Sequence, residues 1–147
     1  MALDLDAVAI ALATAVNDAQ ITLNGQRLTA LDAVPSTIAA PPLFAVAEFV
    51  NTYHRSFAGM DEVTFTCRLF VSLVTSEDGQ RTARQAASSA GAKAILDALE
   101  AARGDPGQPA LGGAAQDLVV QNVRGPRIYE IGEKSYYGLE FSVFVLG

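Results

Sequence analysis

Few side chains in this chain belong to types that perform chemistry, and His54 comes first because it is the sole histidine. One imidazole excludes a histidine-based metal cluster, and a Ser-His-Asp or Cys-His arrangement would have to use His54 itself. It stands between Tyr53 and Arg55, where the simpler expectation is a polar residue at a strand end. Cys67 is the sole cysteine, which excludes an internal disulfide and a multi-cysteine metal site. Set among alternating apolar residues, it reads as a small buried hydrophobe. Glu77 and Asp78 are adjacent carboxylates of the kind used in acid–base work or cation binding, but at a helix start they read as cap and dipole partners. Residues 104–115, GDPGQPALGGAA, are glycine-rich as phosphate-binding loops are. They lack the Lys-Ser/Thr of a P-loop and any GxGxxG opening a helix. Arg81, Arg84 and Lys93 read as a solvated helix face. Tyr129, Tyr136 and Tyr137 offer either an interface patch or ordinary strand packing. From this set we expect no catalytic residue, no cofactor and no metal, and hence no enzyme.

The elements that must position these residues are organised around residues 61–75, DEVTFTCRLFVSLVT. Val63, Phe65, Cys67, Leu69, Val71 and Leu73 project to one face, and Thr64, Thr66, Arg68, Phe70, Ser72 and Val74 to the other. The first face is wholly apolar and the second mixed, so a central strand is expected, with its second side partly covered by another layer or a neighbouring subunit.

At 147 residues and 15.4 kDa the chain fits one domain with a core of its own. Half of the residues are hydrophobic, 18% are charged and the mean hydropathy is +0.26. That balance predicts apolar surface left over for a subunit interface. The net charge of -6, with Lys93 and Lys134 the two lysines, disfavours nucleic-acid binding through a basic patch. Asp4 and Asp6 stand where a signal peptide would carry positive charge, and the apolar run 7–16 is too short to span a bilayer, so a cytoplasmic protein without membrane contact is expected.

Along the chain, Leu5, Val8, Leu12, Val16 and Ala19 recur at helical spacing, with Asp4 or Asp6 as cap and Asn24-Gly25 as stop. Residues 27–31 fit a short strand, the prolines at 35, 41 and 42 force extended backbone, and residues 43–53, which lack a clear period, fit either a strand, the preferred reading, or a short helix. Residues 80–103 are alanine-rich and helical, with Gly91 able to divide them. Residues 104–115 are expected to form a loop without regular structure. A strand at 117–123, a turn at Gly125-Pro126, a short strand at 127–131 and a final strand through Tyr137, Leu139, Phe141, Val143 and Val145 close the chain. The expected fold is α+β: a mostly antiparallel β-sheet with two long helices packed on one face.

The order of these pieces carries a resemblance. An N-terminal helix, PSTIAAPP before an aromatic strand ending FVNTY, then TFTCRLFVSLVTSEDGQRTARQAASS, AKAILDALEAAR, LGGAAQDLVVQNV and a closing YYGLEFSVFVLG resemble the tail terminator proteins of long-tailed bacteriophages. The resemblance implies a structural virion protein, assembled in the host cytoplasm, that forms a hexameric ring on the tail tube. Such a ring ends tube polymerisation and offers the head-docking surface, with the tail tube protein and a head–tail connector or neck protein as partners. DNA passes through it without specific binding. On that reading Gly104, Asp105, Pro106, Gly107, Leu111, Gly112 and Gly113 are candidates for a docking loop that orders on contact. Tyr136, Tyr137, Leu139 and Phe141, together with helical residues 80–103, are candidates for the subunit interface. Glu62, Glu77, Asp78, Glu130 and Glu133 are candidates for carboxylates lining a lumen, where they would repel phosphate. The alternatives are a connector or neck protein and, from another class, a cytoplasmic enzyme or small-ligand-binding domain with its pocket under residues 104–115.

Overall fold

The computed structural model describes residues 3–23, 25–52, 61–74, 77–88, 95–103 and 108–147. Its first helix, α1 (Leu5–Asp18), starts where Asp4 caps it: the Asp4 carboxylate accepts from the backbone N–H of Asp6 (3.1 Å) and Ala7 (3.2 Å). Val8, Leu12 and Val16 form its buried stripe. The helix stops well before Gly25: Ala19 closes it and Gln20 takes a left-handed backbone with φ 52°. A small hairpin, β1 (Thr22–Leu23) with β2 (Gln26–Arg27), leads into β3 (Thr29–Leu31) and β4 (Leu43–Thr52). Then come β5 (Glu62–Leu73), α2 (Glu77–Ala87), α3 (Ile95–Ala101), a 3-10 turn at Leu111–Gly113, β6 (Asp117–Ile131) and β7 (Lys134–Leu146).

The fold is α+β. Five strands form one sheet in the order β3-β4-β5-β7-β6, antiparallel throughout except for the β3–β4 pair. β5 is the central strand, hydrogen-bonded to β4 on one side and to β7 on the other. Val63, Phe65, Cys67 and Leu69 of β5 join Phe44 and Val46 of β4, and Leu139, Phe141, Val143 and Val145 of β7, on the face that the helices cover. On that face α1 lies over β3 and β4, α2 over β5, β6 and β7, and α3 over β6. Ala83 and Ala86 are the buried apolar side chains of α2, and such small side chains let the helix approach the strands closely.

The alanine-rich region forms two helices, as the sequence allowed, but both are shorter than expected. α2 has 11 residues and α3 only 7, so α1, with 14, is the one long helix among the described residues. The turn-plus-short-strand expected after Val123 is instead one 15-residue strand. Register shifts between Val120 and Asn122 and between Arg124 and Arg127 absorb Gly125-Pro126 as a bulge, and pairing resumes at Arg127↔Gly138. Proline is tolerated there because β6 is the sheet edge, where one side of the strand needs no donor. The glycine-rich segment is also more regular than expected. Ala110 and Ala115 bridge around the Leu111–Gly113 turn, and the Leu111 N–H donates to the Ala102 carbonyl at 2.8 Å.

The opposite sheet edge is closed by a side chain. Asn17, at the end of α1, accepts from the Ala30 N–H and donates to the Ala30 carbonyl, both at 2.9 Å, so its amide stands in for a neighbouring strand.

Two positions test this packing. Phe141 is fully buried and meets Phe44 edge-on, with centroids 6.1 Å apart. Phe141→Ala is expected to cost about 3–5 kcal/mol in chemical denaturation, and a loss below about 1 kcal/mol would contradict this core. At Gly138 an added Cβ would lie 2.7 Å from the Leu69 carbonyl oxygen and 2.7 Å from the Tyr129 ring. Gly138→Ala is therefore expected to destabilise by about 1–3 kcal/mol although it only adds a methyl group.

Candidate functional site

The sheet face away from the helices is only partly covered. At one end Ile38, Leu43, Ala45, Phe70 and Tyr136 make a second, smaller core. Beside it the strand register sets Arg68 between Ala45 on β4 and Glu140 on β7, with Arg124 of β6 beyond. A charged ladder results: Arg68 reaches Glu48 at 3.2 Å and Glu140 at 3.5 Å, and Glu140 also meets Arg127 at 3.5 Å. Tyr129 lies over Gly138, edge-on to Phe70, with the Arg68 guanidinium 5.2 Å from its ring centroid. Burial, and then the Glu140 carboxylate, push the Tyr129 phenol up to about 12. Farther along the same face, Val50, Thr64, Phe144 and Val119 form one cross-strand row, in which Val50 and Val119 are exposed.

The second feature is a groove of about 870 Å³ on the outer side of the helical layer, between α1, α3 and residues 109–112. Its walls are mostly alanine, from Ala7, Ala11 and Ala15 on α1 and Ala98, Ala101 and Ala102 on the other side. Ile10 is the large exposed apolar residue within it, and Asp18 its one charged lining residue.

Neither feature has the make-up of a catalytic centre. Among the described residues no group of three or more His, Cys, Asp or Glu is placed to hold a metal ion. His54 and Lys93 lie outside the described residues. Cys67 is fully buried on the helix-covered face, and burial pushes its thiol up to about 12. At the end of α3, Arg103 grips Asp117 of β6 at 2.7 and 3.2 Å; this hydrogen bond holds the Asp117 carboxyl below its usual range. The pair is exposed and ties helix to sheet edge without forming a site.

The residues singled out in the sequence are scattered by the fold. Of the docking-loop candidates, Gly104, Asp105, Pro106 and Gly107 lie outside the described residues. Leu111 is buried, Gly112 and Gly113 are exposed on the 3-10 turn, and of these three Leu111 and Gly112 line the groove. Of the interface candidates, Tyr136, Leu139 and Phe141 are buried in the subunit's own cores. That corrects the expectation of an interface there, because strand alternation marks a buried face without saying what buries it. Tyr137 is half-buried beside Gly79 of α2. The lumen candidates do not form one patch. Glu62 pairs with Leu146 at one end of the sheet and Glu130 with Ser135 near the other, about 35 Å apart along β7. Glu133 sits in the β6–β7 turn, while Glu77 and Asp78 open α2. Sequence reasoning did not single out the ladder or the groove. The ladder had a signal in Arg68 and Glu140, both on the mixed faces of matching strands. The groove had one in Ala7, Ile10, Ala11 and Ala15, which make α1 apolar on its outer side as well as its inner.

Two titrations check this placement. In the native protein a thiol reagent should leave Cys67 unmodified, with reaction only on unfolding; rapid native labelling would contradict its burial. For Tyr129 the raised value means that folding favours the neutral phenol. Its contribution is whole below its ordinary value of 10.0 and is lost as pH climbs through about 12. Phenolate absorbance should show a late-ionising tyrosine that Tyr129→Phe removes.

Among the described residues no helix is long and apolar enough to cross a membrane. No protein-family model matches the chain, and no curated protein matches it.

Proposed function

We propose that this protein is a structural ring subunit of the tail-terminator kind, which caps a phage tail tube, ends its polymerisation and presents a surface to the head–tail connector. The observation behind this reading is the presence of exposed apolar side chains on more than one side of the subunit, with Val50 and Val119 sharing a row on the open sheet face and Ile10 on the helical side. Ile10 is on α1, Phe49 (54% exposed) and Val50 (70%) are on β4, and Val119 and Ile128 (61%) are on β6. A two-fold dimer needs one self-complementary patch, whereas a ring subunit uses two different patches for its neighbours and further surface for what lies above and below. The order of sequence elements supports the same reading. DNA passing through such a ring would meet an acidic protein of net charge -6, which disfavours adhesion to phosphate.

The groove beside residues 109–112 favours a second reading, a small-ligand-binding domain with its pocket close to where the sequence suggested one. Its lining weighs against it: small-molecule sites combine apolar walls with several convergent polar groups, and this groove offers chiefly Thr14 and Asp18.

Mass photometry and negative-stain imaging at micromolar concentration, with and without purified tail tubes, separate the two. Closed rings, alone or seated on tube ends, are expected. A monomer that ignores tube ends and is thermally stabilised by a metabolite mixture would overturn the ring reading.

A further inference from the structure

We infer that the groove between α1 and α3 is the acceptor half of a subunit–subunit contact and that its occupant is the β6 edge of a second copy, around Arg124 to Ile128. The inference rests on the ring reading and adds to it which two patches meet.

Charge complementarity selects this occupant. Asp18 lines the groove, the helices that wall it carry Asp6, Asp97 and Glu100 besides, and Arg103, just past α3, is held by Asp117. The β6 edge is the reverse: from residue 118 to 129 it has no acid, and Arg124, Arg127 and Ile128 are all exposed. Alternation sets Arg124 and Arg127 on one side of the β6 edge and Ile128 on the other, so an edge basic along one side and apolar along the other meets an apolar groove whose helices carry acids, which orients the encounter and disfavours pairing of like patches.

Backbone chemistry fixes how β6 docks. An exposed edge strand ordinarily recruits another strand, but Pro126 offers no N–H and the register shifts at 120–122 and 124–127 interrupt the edge. Side chains, not a continued ladder, must therefore make the contact. The alanine walls permit close approach, and Ile10 in the groove gives Ile128 an apolar partner. Because groove and edge are different surfaces of one subunit, the contact is heterologous and repeats around a ring.

The test compares Ile10→Arg, Asp18→Arg, Arg124→Glu and the swap Asp18→Arg/Arg124→Glu, all at exposed positions, with circular dichroism and urea midpoint confirming the fold. Each single variant is expected to raise the concentration for half-assembly at least about tenfold, and the swap to recover most of that loss. Rings from every variant at the wild-type concentration overturn this contact and leave the ring reading standing. Weakened single variants with no recovery in the swap also overturn the pairing. Wild-type protein that stays monomeric with and without tube ends overturns both readings.

Discussion

Burial of one face of β5 is the constraint on which the other parts depend. Val63, Phe65, Cys67 and Leu69 are excluded from water only if β4 and β7 complete the sheet on either side and the helices close over it. The hydrogen bonds of β5 need those two neighbours, and the apolar area needs the third layer. Each neighbour in turn supplies an aromatic ring to the same core, Phe44 from β4 and Phe141 from β7. A strand satisfied on both edges and dry on one face cannot slip by one residue without exposing its whole apolar set, which fixes the register of the sheet.

The other face is where the subunit becomes specific. On it β5 presents Arg68 and Phe70, and the two organise different territory: Phe70 gathers a small core with Tyr136 and Tyr129, and Arg68 runs a charged ladder to Glu48 and Glu140. Bulges decide which residues reach it. Before the irregularity at Val46/Glu48, Phe44 and Val46 face the helices; after it, Glu48 and Val50 share the open face with Thr66 and Thr64. Arg68 and Glu140 are half-buried while Glu48 and Arg127 at the ends of the ladder are exposed, and ion pairs with an exposed partner contribute little stability and are screened by salt, so the ladder is better understood as defining the shape and charge of a surface.

Much of the fold was legible because its signals are local. Alternation in β5 and β7 and the cap and stripe of α1 read directly as structure. What the sequence obscured has a physical reason in each case. Gly125-Pro126 is turn chemistry that the edge position of β6 converts into a bulge. Asn24-Gly25 is a strong stop, yet α1 ends earlier, and Asn17 near its end bonds to the backbone of β3. Tyr136 and Phe141 are as apolar as an interface would be, and only tertiary packing shows that the subunit buries them itself. The groove was hidden by alanine, a residue equally at home against a sheet and facing solvent.

The pairing of β5 with β7 has a consequence for how the molecule comes into being. Glu62 meets Leu146 and Leu73 meets Tyr136, so the central strand waits for a segment synthesised much later to fill one of its two edges. Pairings this distant in sequence close slowly, because a long loop must be ordered before any bond rewards it. On the ribosome β5 can meet β4 and α1 early while its other edge stays bare until β7 emerges. A chain stopped short of β7 keeps an unpaired apolar strand where the finished one has a completed sheet, so incomplete copies expose a sticky edge and cannot offer the surfaces of a finished subunit.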